Sequence, residues 1–85
     1  MKDNYQEGHI VKLVAVKGIG FVQGRDGTER FFHRSVVRGN RFALLREGQV
    51  VTFVAEDDAP KGPRCSEVVQ GDGRTVADIE ANGNR

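Results

Sequence analysis

The chain has 85 residues, 38% of them hydrophobic and 29% charged. That suffices for one small domain with a modest core and is too balanced for wholesale disorder. One cysteine excludes an internal disulfide framework, and one cysteine with two histidines cannot assemble the usual cysteine-rich zinc site. The net charge of +1 conceals a split, since residues 9–46 carry +6 and the remainder −5, so a positive field can concentrate on one face.

Residues 1–6 are polar and are expected to form a flexible N-terminus. Ile10-Val11 is the only apolar pair before Lys12, which predicts no signal-peptide core, and no apolar run is long enough for a membrane span. The expected compartment is the cytoplasm. A first strand is predicted over 9–16, rich in β-branched residues and ended by Lys17-Gly18, and a second over 19–23. Asp26-Gly27 is a hairpin signal between that strand and a third over 29–33. The segment 34–48 is polar at its centre, with one helical turn predicted at Ser35-Val36-Val37. Residues 49–55 make the cleanest strand, an acidic, proline-bounded loop follows, and the last strand is predicted over 64–69. Residues 71–85 read as a mobile polar tail, with a short helical turn weighed at Thr75–Asp78. Five short strands without a long helix predict an all-β fold, a five-stranded antiparallel barrel over 7–70 that leaves few exposed sheet edges.

Catalysis finds little support. Gly18 and Gly20 follow a strand, but Gln23 stands where a dinucleotide fingerprint needs its third glycine, and no helix follows. No phosphate-loop motif occurs, and Ser35 or Cys65 with His9 or His33 shows no spacing suited to a nucleophile–base pair. Cys65 lies among apolar residues as a small buried filler. The chain is therefore read as a non-enzyme without metal or cofactor.

The informative residues are Lys17-Gly18-Ile19-Gly20-Phe21-Val22 and Arg30-Phe31-Phe32-His33. Alternation along paired strands puts Phe21, Phe31 and His33 on one face with Lys17 and Arg34 nearby, and turns Val22 and Phe32 inward. Rings in a basic surround suit single-stranded nucleic acid, because bases stack on the rings while cations track phosphates. The glycines beside the rings are expected to leave flat space for a base.

These blocks resemble the cold-shock domain, a small five-stranded barrel of the OB type. The segment 17–22 is similar to that family's Lys-Gly-Phe-Gly-Phe-Ile/Val motif, and Phe31-Phe32-His33 with Ser35 to its Val-Phe-Val-His-Phe-Ser motif. Gly39, Phe42, Leu45 and Glu47-Gly48-Gln49 fit the loop before the fourth strand, and Lys61-Gly62-Pro63 with Cys65 fits its Lys/Arg-Gly-Pro-x-Ala turn. The resemblance implies that Phe21, Phe31, His33 and Phe42 stack on bases, that Lys17 reaches phosphate, and that Lys61 and Arg64 edge the same surface. The chain departs from the pattern at Lys12, where the family carries Trp, at Ile19 and at Arg34, where it carries Phe. Lys12 and Arg34 are therefore expected to bind through charge. Arg30 falls at an inward position, so either it reaches out at a barrel end or the register changes locally.

The expected function is binding of single-stranded RNA or DNA with little sequence specificity, as in an RNA chaperone. The alternative is a protein-interaction or regulatory barrel with weakened nucleic-acid binding, which would imply a protein partner.

Overall fold

The computed structural model describes residues 5–75. Five strands, β1 (Tyr5–Val14), β2 (Ile19–Gly24), β3 (Glu29–His33), β4 (Gln49–Glu56) and β5 (Arg64–Thr75), close into a barrel in the order β1-β2-β3-β5-β4. Short 3₁₀ turns at Ala15–Lys17, Arg34–Val36, Arg38–Asn40 and Phe42–Leu44 fill the connections. The second of these covers Ser35 and Val36 of the helical turn expected after β3 and begins one residue earlier, with Val37 extended.

The β2–β3 turn forms as its sequence dictates. Gly27 takes φ +84°, the left-handed region open to glycine, and the Asp26 carboxylate accepts from the Thr28 N–H at 3.0 Å. Register then follows from the hydrophobic alternation. Val22, Phe32, Ile10, Val51, Phe53 and Val68 have no exposed surface, and Val37, Leu45 and Cys65 complete the core. Burial pushes the Cys65 thiol up to about 12, so this side chain is an inert filler of the interior.

Three expectations need correction. The barrel is mixed and not purely antiparallel, because β3 pairs parallel with β5, in register at Phe31 and Arg64. The cause is parity, since an odd number of strands cannot alternate direction all the way round a closed ring. β1 begins at Tyr5, inside the stretch expected to be flexible, because β4 is long enough to pair Tyr5 with Val54 and Gln6 with Phe53. β5 continues to Thr75, opposite Gln49, well past the predicted end at 69. The helical turn considered at Thr75–Asp78 lies outside the described residues apart from Thr75 itself, which ends β5.

A bulge in β1 decides what faces outward. Ile10 pairs with Val22, but Lys12 pairs with Phe21, so Val11 is an extra residue on the β1 side. Without it, alternation would turn Lys12 toward the interior. With it, Ile10 stays in the core, Lys12 is exposed, and Leu13 packs inward opposite Gly20. The Glu47 carboxylate receives the Leu13 N–H at 3.0 Å just past the bulge.

Candidate nucleic-acid interface

Across the outer surface the register aligns four residues from four strands. Lys12 lies opposite Phe21, Phe21 opposite Phe31, and Phe31 beside Arg64. The two rings are half-buried and meet edge to face, with centroids 6.0 Å apart and planes at 69°. That geometry leaves ring surface available while each ring supports the other. Strands about 4.8 Å apart put Lys12 and Arg64 roughly 14 Å from one another, one at each end of the aromatic pair.

The neighbours extend this row. His33 is exposed and stands opposite Ile19 on the same face as Phe31. Its Nδ1 accepts the Ser35 backbone N–H at 3.1 Å and lies 3.0 Å from the Ser35 hydroxyl, which fixes the ring and leaves Nε2 as the donor of the neutral form. Lys17 ends the first 3₁₀ turn, and Gly18 caps it with φ +66°. The Gly18 carbonyl accepts the Arg34 N–H at 2.8 Å, and the Arg34 side chain lies across the glycine, where an added Cβ would come within 2.9 Å of Arg34 Cδ. Lys17 and Arg34 therefore border the His33 end. At the Arg64 end, Phe31, Lys61, Gly62, Pro63 and Arg64 line a cleft of about 270 Å³. Among the described residues no carboxylate pairs with Lys12, Lys17, Arg34 or Lys61, and Arg64 is held loosely, its Nε 4.0 Å from Glu56.

Two expected features fall elsewhere. Phe42 stands outside the strand register of the row, in the Phe42–Leu44 turn: its half-buried ring meets the core ring of Phe32 in a T-shaped contact at 6.2 Å and packs against the interior cluster. Gly20 does not clear space for a base on the outer face. Its missing side chain points inward, where a Cβ would sit 2.6 Å from Phe32 Cζ and 2.9 Å from a Leu13 methyl. The glycine makes room for the core.

Arg30 keeps the expected register opposite Val22 and is buried at the end of the barrel, 3% exposed. Its guanidinium donates from Nε to Asp57 at 2.8 Å, from Nη2 to Asp57 at 3.0 Å, and from Nη2 to Asp26 at 3.2 Å, over the face of Phe53. The hydrogen bonds to Asp57 raise the Arg30 pKa, and those from Arg30 hold the Asp57 carboxyl below its usual range. Asp26 is lowered first by the Thr28 N–H and then by Arg30. The inward position of Arg30 is evident from strand alternation, but its partners are not, because both carboxylates are on loops that folding brings to it. A second network joins β1, the Arg38–Asn40 turn and β5. Tyr5 donates to Glu67 at 2.5 Å, and Arg38 donates to Glu67 at 2.8 Å and to the Tyr5 oxygen at 2.6 Å. The Tyr5 hydroxyl lowers the Glu67 pKa, and that same bond raises that of Tyr5.

Residues 6–71 match the family described as the 'Cold-shock' DNA-binding domain. The chain belongs to the cold-shock domain family. Among similar proteins are Cold shock protein 1 of Lactiplantibacillus plantarum, 44% identical over 64 residues that cover 75% of this chain and 96% of that one. Cold shock-like protein CspC of Bacillus cereus is 36% identical over 64 residues, 75% of this chain and 97% of its own. Cold shock-like protein CspJ of Salmonella typhi is 44% identical over 54 residues, 62% and 76% of the two chains. Membership of the cold-shock domain family supports nucleic-acid binding as the general activity. No helix among the described residues is long and apolar enough to cross a membrane.

Proposed function

We propose that this cold-shock domain binds single-stranded RNA or DNA with little sequence preference. Unstacked bases lie on Phe21 and Phe31 beside His33, and Lys12, Lys17, Arg34, Lys61 and Arg64 follow the phosphates. The observation that carries this reading is the in-register row of Lys12, Phe21, Phe31 and Arg64, two open rings between two cations. Every base has a face that stacks on a ring, so such a platform tolerates any sequence. By holding bases out of a helix, the protein favours the open form of weakly paired strands by mass action, as an RNA chaperone does. Nothing in this mechanism calls for hydrolysis or a cofactor.

Fluorescence anisotropy with a labelled heptathymidine tests the reading against a blunt duplex of the same strand. With about three to five phosphates neutralised, log affinity falls against log salt with a slope of roughly −2 to −3.5. The single strand binds more tightly, because bases paired inside a helix do not reach the rings. Equal affinity for the two forms sinks the stacking mechanism, and binding to neither turns the barrel over to a protein partner.

A further inference from the structure

The loop 57–63 joins β4 to β5 and supplies Lys61, Gly62 and Pro63 to the cleft beside Phe31. Consecutive residues of β3 hold its two ends. Arg30 clamps Asp57, the first loop residue, through a two-pronged bond, and the Phe31 N–H donates to the carbonyl of Pro63, the last, at 3.3 Å. Within the loop, the Gly62 N–H donates to the Ala59 carbonyl at 3.0 Å. The β4–β5 ladder closes the base of the loop, with Glu56 opposite Arg64, and the β3–β5 seam adds register at Phe31 and Arg64. Beyond that ladder Arg30 ties the first loop residue, Asp57, through its side chain, and it is itself immobilised by burial, by Asp26 and by the Phe53 ring. Its fit is prepared by Gly24, where a Cβ would lie 2.9 Å from Arg30 Nη1.

We propose that Arg30 is a positioning residue for the nucleic-acid face: by clamping Asp57 it presets the loop so that Lys61, Pro63 and Arg64 wall the cleft against Phe31. The inference rests on the single-strand reading above. Arg30 touches no ligand. It removes, before binding, the disorder that a loose loop would otherwise lose on binding, and preorganisation of that kind raises affinity without a new contact.

Arg30→Met separates positioning from folding, because an apolar side chain of similar reach fills the buried site while the half-exposed Asp26 and Asp57 carboxylates return to solvent, so no buried charge is left unpaired. The expected result is a retained melting temperature with affinity for the labelled heptathymidine weakened about fivefold. Arg30→Lys keeps the charge, loses the planar fork, and weakens binding to a similar extent. In a Lys61→Ala/Arg64→Ala background the clamp has no cation left to place, so Arg30→Met then changes affinity less than about twofold. Should Arg30→Met not fold, Asp57→Asn removes the loop's half of the clamp while Asp26 still covers the guanidinium, and the same loss is expected. Folded Arg30→Met or Arg30→Lys protein with parental affinity overturns the proposal, as does a full fivefold loss that persists in the double-alanine background. Phe31→Ala, measured alongside, keeps the two readings apart. If it weakens binding while the Arg30 variants do not, only the positioning role fails; if it has no effect, the stacking reading fails.

Discussion

On the inner face of the β2–β3 hairpin, Val22 and Phe32 have no exposed surface, and Gly20 gives up a side chain so that the Phe32 ring fits. One residue along on the outer face, Phe21 and Phe31 keep part of their rings open and meet edge to face. Phe31 and Phe32 are neighbours of one residue type with opposite environments, separated only by the two-residue period of a strand. The inner ring holds the barrel together. The outer ring, with less to lose on exposure, is available to another molecule. The same contrast separates the arginines: buried Arg30 is neutralised by two carboxylates, whereas exposed Arg34 on the next turn carries its charge unpaired among the described residues.

The largest effect should come from cutting the inner face. Phe32→Ala is expected to cost about 3–5 kcal/mol, as is Phe53→Ala. A small domain has only about 5–15 kcal/mol in all, so urea denaturation should show a barely folded protein. Gly20→Ala tests the same face by overfilling it and is expected to lose about 1–3 kcal/mol in the same assay. An unchanged midpoint would mean that Phe32 and Leu13 have room to retreat. On the outer face, Phe31→Ala should leave the urea midpoint near that of the parent and weaken single-strand binding by about 1–3 kcal/mol, the stacking of one base. The reverse pattern, with Phe31→Ala unfolded and Phe32→Ala harmless, would place the strand one residue out of register.

The smallest effect sharpens the comparison by adding to the outer face. Lys12 already points outward beside Phe21, so Lys12→Trp extends the aromatic row onto β1. The salt slope should become shallower by about 0.7 as one phosphate contact disappears. Near physiological salt the added stacking should outweigh the screened cation, tightening binding about tenfold, with the gain increasing as salt rises. Titrations at several salt concentrations read both quantities together. Unchanged affinity and slope in a folded variant would place position 12 off the bound strand.

The sequence made much of this contrast readable, because alternation is a local property. Val22 and Phe32 inward, Phe21, Phe31 and His33 outward, and the Asp26-Gly27 turn all follow from residues within one hairpin. What escaped reading depends on distant parts of the chain. The Val11 bulge shows only against the β2 register. The parallel β3–β5 seam follows from closure of the ring, not from either strand. Phe42 occupies a connection without a period, so its turn toward Phe32 depends on how 34–48 crosses the barrel. Arg30 was legible as an anomaly, but Asp57 becomes its neighbour only after β4 and β5 are in place.

The order of strands round the barrel also sets the order in which the chain can assemble. β1, β2 and β3 follow one another through short turns, and hairpins of that kind form in about 1–10 μs. Lys12, Phe21 and Phe31 therefore come into line through local pairing alone. Joining β1 to β4, which brings Tyr5 beside Val54, waits on the slower closure of a long stretch of chain. Until then Val22 and Phe32 lack Phe53 and Val51 above them, and Arg64 has yet to reach Phe31. Three members of the row, Lys12, Phe21 and Phe31, thus rest on local pairing, whereas the fourth, Arg64, joins them only through closure of the barrel.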